Sequence, residues 1–286
     1  MAAPESTSPL RQVARRFVRN PAAVAGLMVL LCLGLVALFA PQLAREPLDA
    51  IHVDQRLRPP GPGHPFGTDN LGRDVLSRLI WGARTSLSVG LVAMSVAVGI
   101  GTVVGAVAGF YAGTWVDLLF MRIAEAITII PVYFLVVTVV AVVRPSLLNV
   151  MLVIGLTSWP GPAQIVRAQF LSLRQRAFAE ASRAVGVGDA RLIFRHILPN
   201  ASGPIIVSAT LGIGNAILVE SSLSFLGLGA QYPQTSWGQM LSQGRQFLLQ
   251  APWVSLVPGL AIFLVVICFN CVGEGLREAL DPKMDE

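Results

Sequence analysis

The residues able to do chemistry are few, and most stand beside or inside long apolar runs. Glu220 is followed by Ser221, Ser222 and Ser224 at the end of one such run. A carboxylate at the centre of a bilayer costs roughly 2.5–3.5 kcal/mol, and less near the surface, so it faces a cavity or a partner group. Two arrangements satisfy that demand. Either Glu220 and the serines line a pathway in which the carboxylate meets an ammonium group, or they form a hydrogen-bonded cluster between packed helices. Asp117, Arg122 and Glu125 lie at the start of another run, where Arg122 and Glu125, three residues apart on a helix, suit a structural ion pair. Asn270 and Glu274, near the end of the last run, suit packing, with a gate as the alternative.

Several kinds of chemistry are excluded on parts. The chain holds one lysine, Lys283, followed by Met284, so no G-x-x-x-x-G-K-[S/T] phosphate loop exists in it. Histidine is absent from every apolar run, which removes the base of an intramembrane serine protease. His52, His64 and His196 are dispersed and form no metal-ligand pattern. Cys268 and Cys271 make a C-x-x-C inside an apolar run with no further ligand nearby; with Cys32 they read as small packing residues. No enzyme, bound cofactor or metal is expected of this chain.

The elements that must position these residues follow from composition. Of 286 residues, 54% are hydrophobic and only 13% charged, against about a quarter charged in soluble domains. The mean hydropathy is +0.67. A spanning helix needs about 20 apolar residues. Six stretches free of charged residues qualify: 21–40, 86–111, 126–143, 145–166, 201–219 and 251–273. In lipid the backbone must satisfy its own hydrogen bonds, and runs this long give helices and no barrel. The fold class is all-α integral membrane. The first run ends in Phe39-Ala40-Pro41 without a cleavage site and reads as a retained anchor.

The net charge of +5 raises nucleic-acid binding, but no basic stripe interleaved with aromatics supports it. The arginines instead flank apolar runs, where they meet lipid head groups and set topology. Arg11, Arg15, Arg16 and Arg19 precede the first run and only Arg45 closely follows it, which places both termini in the cytoplasm after six crossings. Six arginines in the first outer loop cut against this and are partly offset by five acids. That loop, 41–85, starts Pro-rich; Gly67-Thr68-Asp69 then reads as a helix start, with Leu71, Val75, Leu76, Leu79 and Ile80 on one face of an interfacial helix. Domain organisation is therefore residues 1–85, a tail, one span and this loop, then 86–286, a core of five spans. Gly101, Gly105, Gly109 and Gly113 recur every four residues, a stripe for close helix contact. Pro131, Pro160, Pro162 and Pro258 imply kinks.

The inner loop 167–199 is the most informative. Residues 175–185 favour a helix with Phe178, Ala181 and Val185 on one face; Gly186 allows a reversal; Asp189 caps a second short helix carrying Leu192, Ile193 and Ile197; Pro199 stops it. Two short helices at a sharp turn make a rigid knob, which a simple channel does not need.

Here the residues resemble a known family. The pattern E-A-A-x3-G-x9-I-x-L-P marks permease subunits of ATP-binding-cassette (ABC) importers. It is matched at Glu180, Ala181, Gly186, Leu198 and Pro199, with Ser182 for the second alanine and His196 for isoleucine. His196-Ile-Leu-Pro-Asn200 resembles the peptide and nickel branch. So do Phe66-Gly-Thr-Asp69, Gly72-Arg-Asp-Val-Leu-Ser-Arg78, Leu223-Ser-Phe-Leu-Gly-Leu-Gly229, Ala251-Pro-Trp253 with Pro258-Gly259, and Gly275-Leu-Arg-Glu-Ala-Leu-Asp-Pro282. The resemblance implies a type I importer permease fold in the bacterial cytoplasmic membrane, with coupling helices that seat in an ATPase groove. It implies peptide transport, with nickel or another small chelate as the alternative cargo. The implied partners are a homologous second permease, two ATPase subunits (or one two-domain ATPase) that use ATP and Mg, and an extracytoplasmic substrate-binding protein.

Overall fold

The computed structural model describes residues 9–143 and 146–280. Pro145, at the start of the expected fourth span, and Asp281, Pro282 and Lys283 lie outside the described residues. Apart from short 3-10 turns at Val53–Gln55 and Arg245–Phe247, the elements in chain order are α1 (Pro9–Arg19), α2 (Pro21–Leu38), α3 (Ala40–Leu43), α4 (Val75–Phe110), α5 (Trp115–Ile129), α6 (Val132–Val143), α7 (Leu147–Ser158), α8 (Pro160–Leu173), α9 (Ala177–Ala184), α10 (Asp189–Arg191), a π-helical turn (Leu192–Ile197), α11 (Leu198–Asn200), α12 (Ser202–Phe225), α13 (Trp237–Gly244) and α14 (Trp253–Leu280). Among the described residues the only β-pairing is two isolated bridges in the loop before α4.

Four helices, α2, α4, α12 and α14, are each long and apolar enough to cross a membrane. The pair α5 and α6 reaches spanning length only when taken together, and it is bent by 88° at the break between them. The expected kink at Pro131 is thus a break. Ile130, the residue before the proline, is extended at φ −79°, ψ 123°, as the clash with the proline ring requires. The expected fourth span is two helices joined at Trp159, which keeps helical torsions (φ −64°, ψ −24°), while its carbonyl accepts from the Ala163 N–H at 3.0 Å. Pro160 therefore sits at the start of α8, where its missing donor costs nothing.

The loop before α4 differs from its expected form. The segment expected as a separate interfacial helix is the first turns of α4, which runs unbroken through the expected boundary at residues 85 and 86. Gly67-Thr68-Asp69 does not start a helix. Gly72 at φ +76° lies against the His52 backbone, where a side chain would clash, so the chain turns there. Asp74 then caps α4, its Oδ2 accepting from the Ser77 N–H and hydroxyl, both at 2.8 Å.

α4 is the central helix. Gly101, Gly105 and Gly109 face α8: a Cβ at Gly101 would lie 2.8 Å from the Trp159 carbonyl oxygen, and one at Gly109 2.8 Å from that of Arg167. Small residues let the two backbones approach in the absence of a hydrophobic drive between helices in lipid. Gly113 is not part of this stripe; it lies past the end of α4 at φ +87°. A first buried cluster joins α4, α6, α7 and α12 through Val89, Ala93, Val136, Ile154 and Leu223. A second lies where α4 and α8 end, beneath the loop that connects α8 to α12.

Candidate functional site: the coupling knob

The loop between α8 and α12 folds as two short helices around a left-handed glycine. α9 ends with Gly186 at φ +80°. The Gly186 N–H donates to the Arg183 carbonyl at 2.9 Å and the Val187 N–H to the Ser182 carbonyl at 3.1 Å. This pair of bonds is a Schellman cap. Val187, just past the glycine, packs against the buried cluster. The base of the knob is apolar: Ala179, Leu192, Ile193 and Ile197 are buried with Phe110 of α4 and Phe170 of α8. Its outer surface is mixed. Glu180, Ala181, Arg183 and Gly186 are exposed and Val185 is 84% exposed. The inward face of α9 is therefore Phe178 and Ala179, whereas Ala181 and Val185, expected to share a face with Phe178, point outward.

Pro199 does not stop the second helix. The turn ahead of it widens to π geometry, so that the Leu198 N–H reaches the Ile193 carbonyl five residues back. That wide turn accommodates a residue with no N–H, and the chain passes through Ala201 in helical torsions into α12. A single turn residue, Ala201, thus separates the knob from α12. His196 and Leu198 are half-buried along this connection, and the His196 carbonyl accepts from the Asn200 amide at 2.6 Å. Asp189 does not cap the second helix; it follows the cap, Gly188, and its Oδ2 accepts from the Tyr111 hydroxyl at 2.9 Å.

Side chains that looked like topology signals fasten the knob. Arg174 donates to the Phe110 carbonyl at 3.0 Å. Arg183 donates to the Arg174 carbonyl at 3.0 Å and lies over the Phe110 ring at 5.6 Å. Arg167 binds Asp117 through two bonds of 2.6 and 2.7 Å, a bidentate pair joining α8 to α5. These ties fix the knob to the ends of α4 and α8, and α8 in turn to α5.

At the far end, Glu220 is fully buried. Its Oε1 accepts from the Ser224 hydroxyl at 2.6 Å, Ser224 lies 3.2 Å from Ser236, and Glu220 Oε2 and Ser221 Oγ have no partner. The cover is α13, whose Gly238 sits on the Ser221 backbone. Within this chain Glu220, Ser221 and Ser224 belong to a sealed cluster between α12 and α13. Only Ser222 is outside it, half-buried and bonded to the Leu218 carbonyl at 2.9 Å. α13 escaped the sequence reading although Ser236-Trp-Gly-Gln239 is a capping-box pattern, and Ser236 does accept from the Gln239 N–H at 3.2 Å.

The remaining polar candidates have structural settings. His64 lies between Asp74 (2.9 Å) and Gln55 (2.8 Å), and His52 lies 3.7 Å from Glu46. Cys268 and Cys271 are free cysteines, and the Cys268 backbone and Cys271 Cβ pack close to Gly26 of α2. Among the described residues no three His, Cys, Asp or Glu side chains gather into a metal site. Glu274 is 3.8 Å from Arg277 at the exposed end of α14, and Asn270 is exposed.

Comparison with known proteins agrees with this architecture. Residues 101–286 match the family described as binding-protein-dependent transport system inner membrane component. Residues 8–60 match the N-terminal transmembrane domain of oligopeptide transport permease C. The dipeptide transport system permease protein DppC of Alkalihalophilus pseudofirmus is 44% identical over 98% of this chain and 91% of its own length. The glutathione transport system permease protein GsiD of Escherichia coli O6:K15:H31 is 42% identical over 97% and 91%. Among solved structures, an inward-facing MetNI methionine ABC transporter covers 72% of this chain and 98% of its own with a TM-score of 0.58 at 19% identity, a likeness of fold. The knob, the central glycine-lined helix pair and these matches together place the chain in the binding-protein-dependent inner membrane components, as a DppC/OppC-like permease of an ABC importer.

Proposed function

We propose that this permease moves short peptides into the cell, with both termini and the knob on the cytoplasmic side. The observation that carries the coupling role is the knob's construction: an apolar base locked to α4 and α8, and an outer surface with Val185 and Glu180 free to meet another protein. Two ATPase subunits seat that surface and hydrolyse ATP with Mg; this chain supplies no nucleotide-binding residues and needs no cofactor of its own. A homologous second permease completes the pore, and an extracytoplasmic binding protein delivers the cargo. The peptide reading is supported by the dipeptide and glutathione names of the relatives.

The burial of Glu220 moves the proposed pathway along α12. Ser208, Asn215 and Ser222 recur every seven residues along α12. Asn215 is exposed. A polar line at membrane depth does not face lipid, so it lines the route or meets the second permease. The test of substrate class is a binding assay on the partner binding protein followed by uptake in proteoliposomes. Dipeptides and longer peptides are expected to bind and accumulate with ATP. Binding and uptake of a nickel chelate alone would contradict the peptide reading.

A further inference from the structure

Arg122 and Glu125 form an ion pair at 2.8 Å, yet their side chains are 71% and 53% exposed. Both belong to α5, three residues apart, so the bond joins no two elements and holds nothing in place. The expected pairing is present, but it links no separate parts of the fold. Their neighbours on the same exposed face are apolar: Leu118 is 59% exposed and Ile129 80%. α5 is also the first half of the bent apolar pair, and the 88° break at Ile130 and Pro131 follows Glu125 within one and a half turns. Ile130 is 48% exposed.

Three physical constraints meet here. Charges on an apolar helix are costly against lipid, and only a long side chain can reach the interface to escape it. Arg122 has such a reach, but the short arm of Glu125, further along the helix, does not. Non-helical backbone at membrane depth is tolerated only where it is buried in protein or lines a water-filled cavity, and the break at Ile130 is not buried in this chain. An exposed pair with no other partner is also free to exchange partners, because breaking it costs little when water or an equivalent ion replaces each half.

We propose that Arg122 and Glu125 form a substrate-facing charge pair in the translocation pathway, exchanging their mutual bond for the two ends of a zwitterionic peptide. The guanidinium takes the peptide carboxylate and the Glu125 carboxylate takes the peptide ammonium. The site is charge-balanced before, during and after passage, so no bare charge is left in a low-dielectric channel. When the peptide leaves, the pair closes on itself and no strong site remains to hold cargo. This assignment rests on the peptide reading above.

The test uses the complete transporter in proteoliposomes, with Cys32, Cys268 and Cys271 replaced by serine and Arg122→Cys or Glu125→Cys introduced singly. A water-soluble cationic methanethiosulfonate is expected to label both positions, and saturating dipeptide with the binding protein is expected to slow labelling several-fold. Ala124→Cys, at a fully buried position on the same helix, serves as the unreactive reference. Absence of labelling at both positions overturns the pathway assignment and leaves the peptide reading intact. Labelling that dipeptide does not slow overturns the substrate contact. Wild-type dipeptide uptake in the same vesicles tests the peptide reading separately, and its absence would remove the ligand assigned here.

Discussion

Replacing Gly186 by proline is expected to abolish peptide-stimulated ATP turnover while the chain still inserts and assembles. Gly186 holds φ +80°, and a proline ring fixes φ near −65°. The substitution also removes the N–H that donates to Arg183, so the cap that closes α9 fails. A misfit of this kind costs about 3 kcal/mol or more, which is roughly a hundredfold in the population of the intact turn. The spans are untouched because the knob lies outside them. Gly186→Ala separates conformation from bulk. No atom lies within 4 Å of an added Cβ, so only the left-handed backbone penalty of about 1–2 kcal/mol remains. The alanine variant should retain partial coupling. Turnover in the proline variant equal to wild type would contradict a rigid knob.

The largest effect on stability is expected at the far end, from Asp69→Ala. Asp69 is fully buried and its two oxygens accept four bonds: from the Leu71 N–H (2.8 Å), the Arg73 N–H (3.0 Å), Arg73 Nε (2.7 Å) and Arg78 Nη1 (2.6 Å). Arg73 and Arg78 are themselves buried, and both also donate to Gln243 Oε1 at 2.9 Å. Two guanidinium groups share one carboxylate, so removing it leaves both buried charges without a counter-ion. Breaking a buried pair in this way costs about 3–5 kcal/mol. The purified variant should melt far below wild type. Asp69→Asn, which keeps an acceptor but not the charge, should fall between. An unchanged melting temperature for the alanine variant would show that the cluster does not hold the outer loop to α13.

What the sequence disclosed follows the range of the interactions involved. The long apolar runs that became α2, α4, α12 and α14 are local properties, as is the need for glycine at 186. Pro131 signalled a bend, but its size depends on how α6 packs against α7 and α12. Pro199 read as a stop because the π turn that absorbs it depends on Leu192, Ile193 and Ile197 being buried against α4 and α8. Arg73 and Arg78 read as marking the other faces of an interfacial helix because Gln243 and Thr235, which they bind, lie more than 150 residues away. Glu220 fitted a pathway and a packed cluster equally for the same reason: α13, which seals it, is separate in sequence and short. Arg174 and Arg183 looked like topology signals, and their carbonyl partners appear only once α4 ends beside the knob.

The most direct test of the central claim, that this knob joins the membrane pore to its motor, is a cross-link from its tip. Val185→Cys, in the background free of other cysteines, places a thiol at a position that is 84% exposed. A short thiol-to-amine reagent then seeks a lysine, and this chain offers only Lys283, so a product of higher mass identifies a neighbouring subunit. The account predicts a cross-link to the ATPase subunit in the assembled transporter, with a yield that changes when ATP is bound. A transporter that accumulates peptide but gives no ATPase cross-link from this position would contradict it.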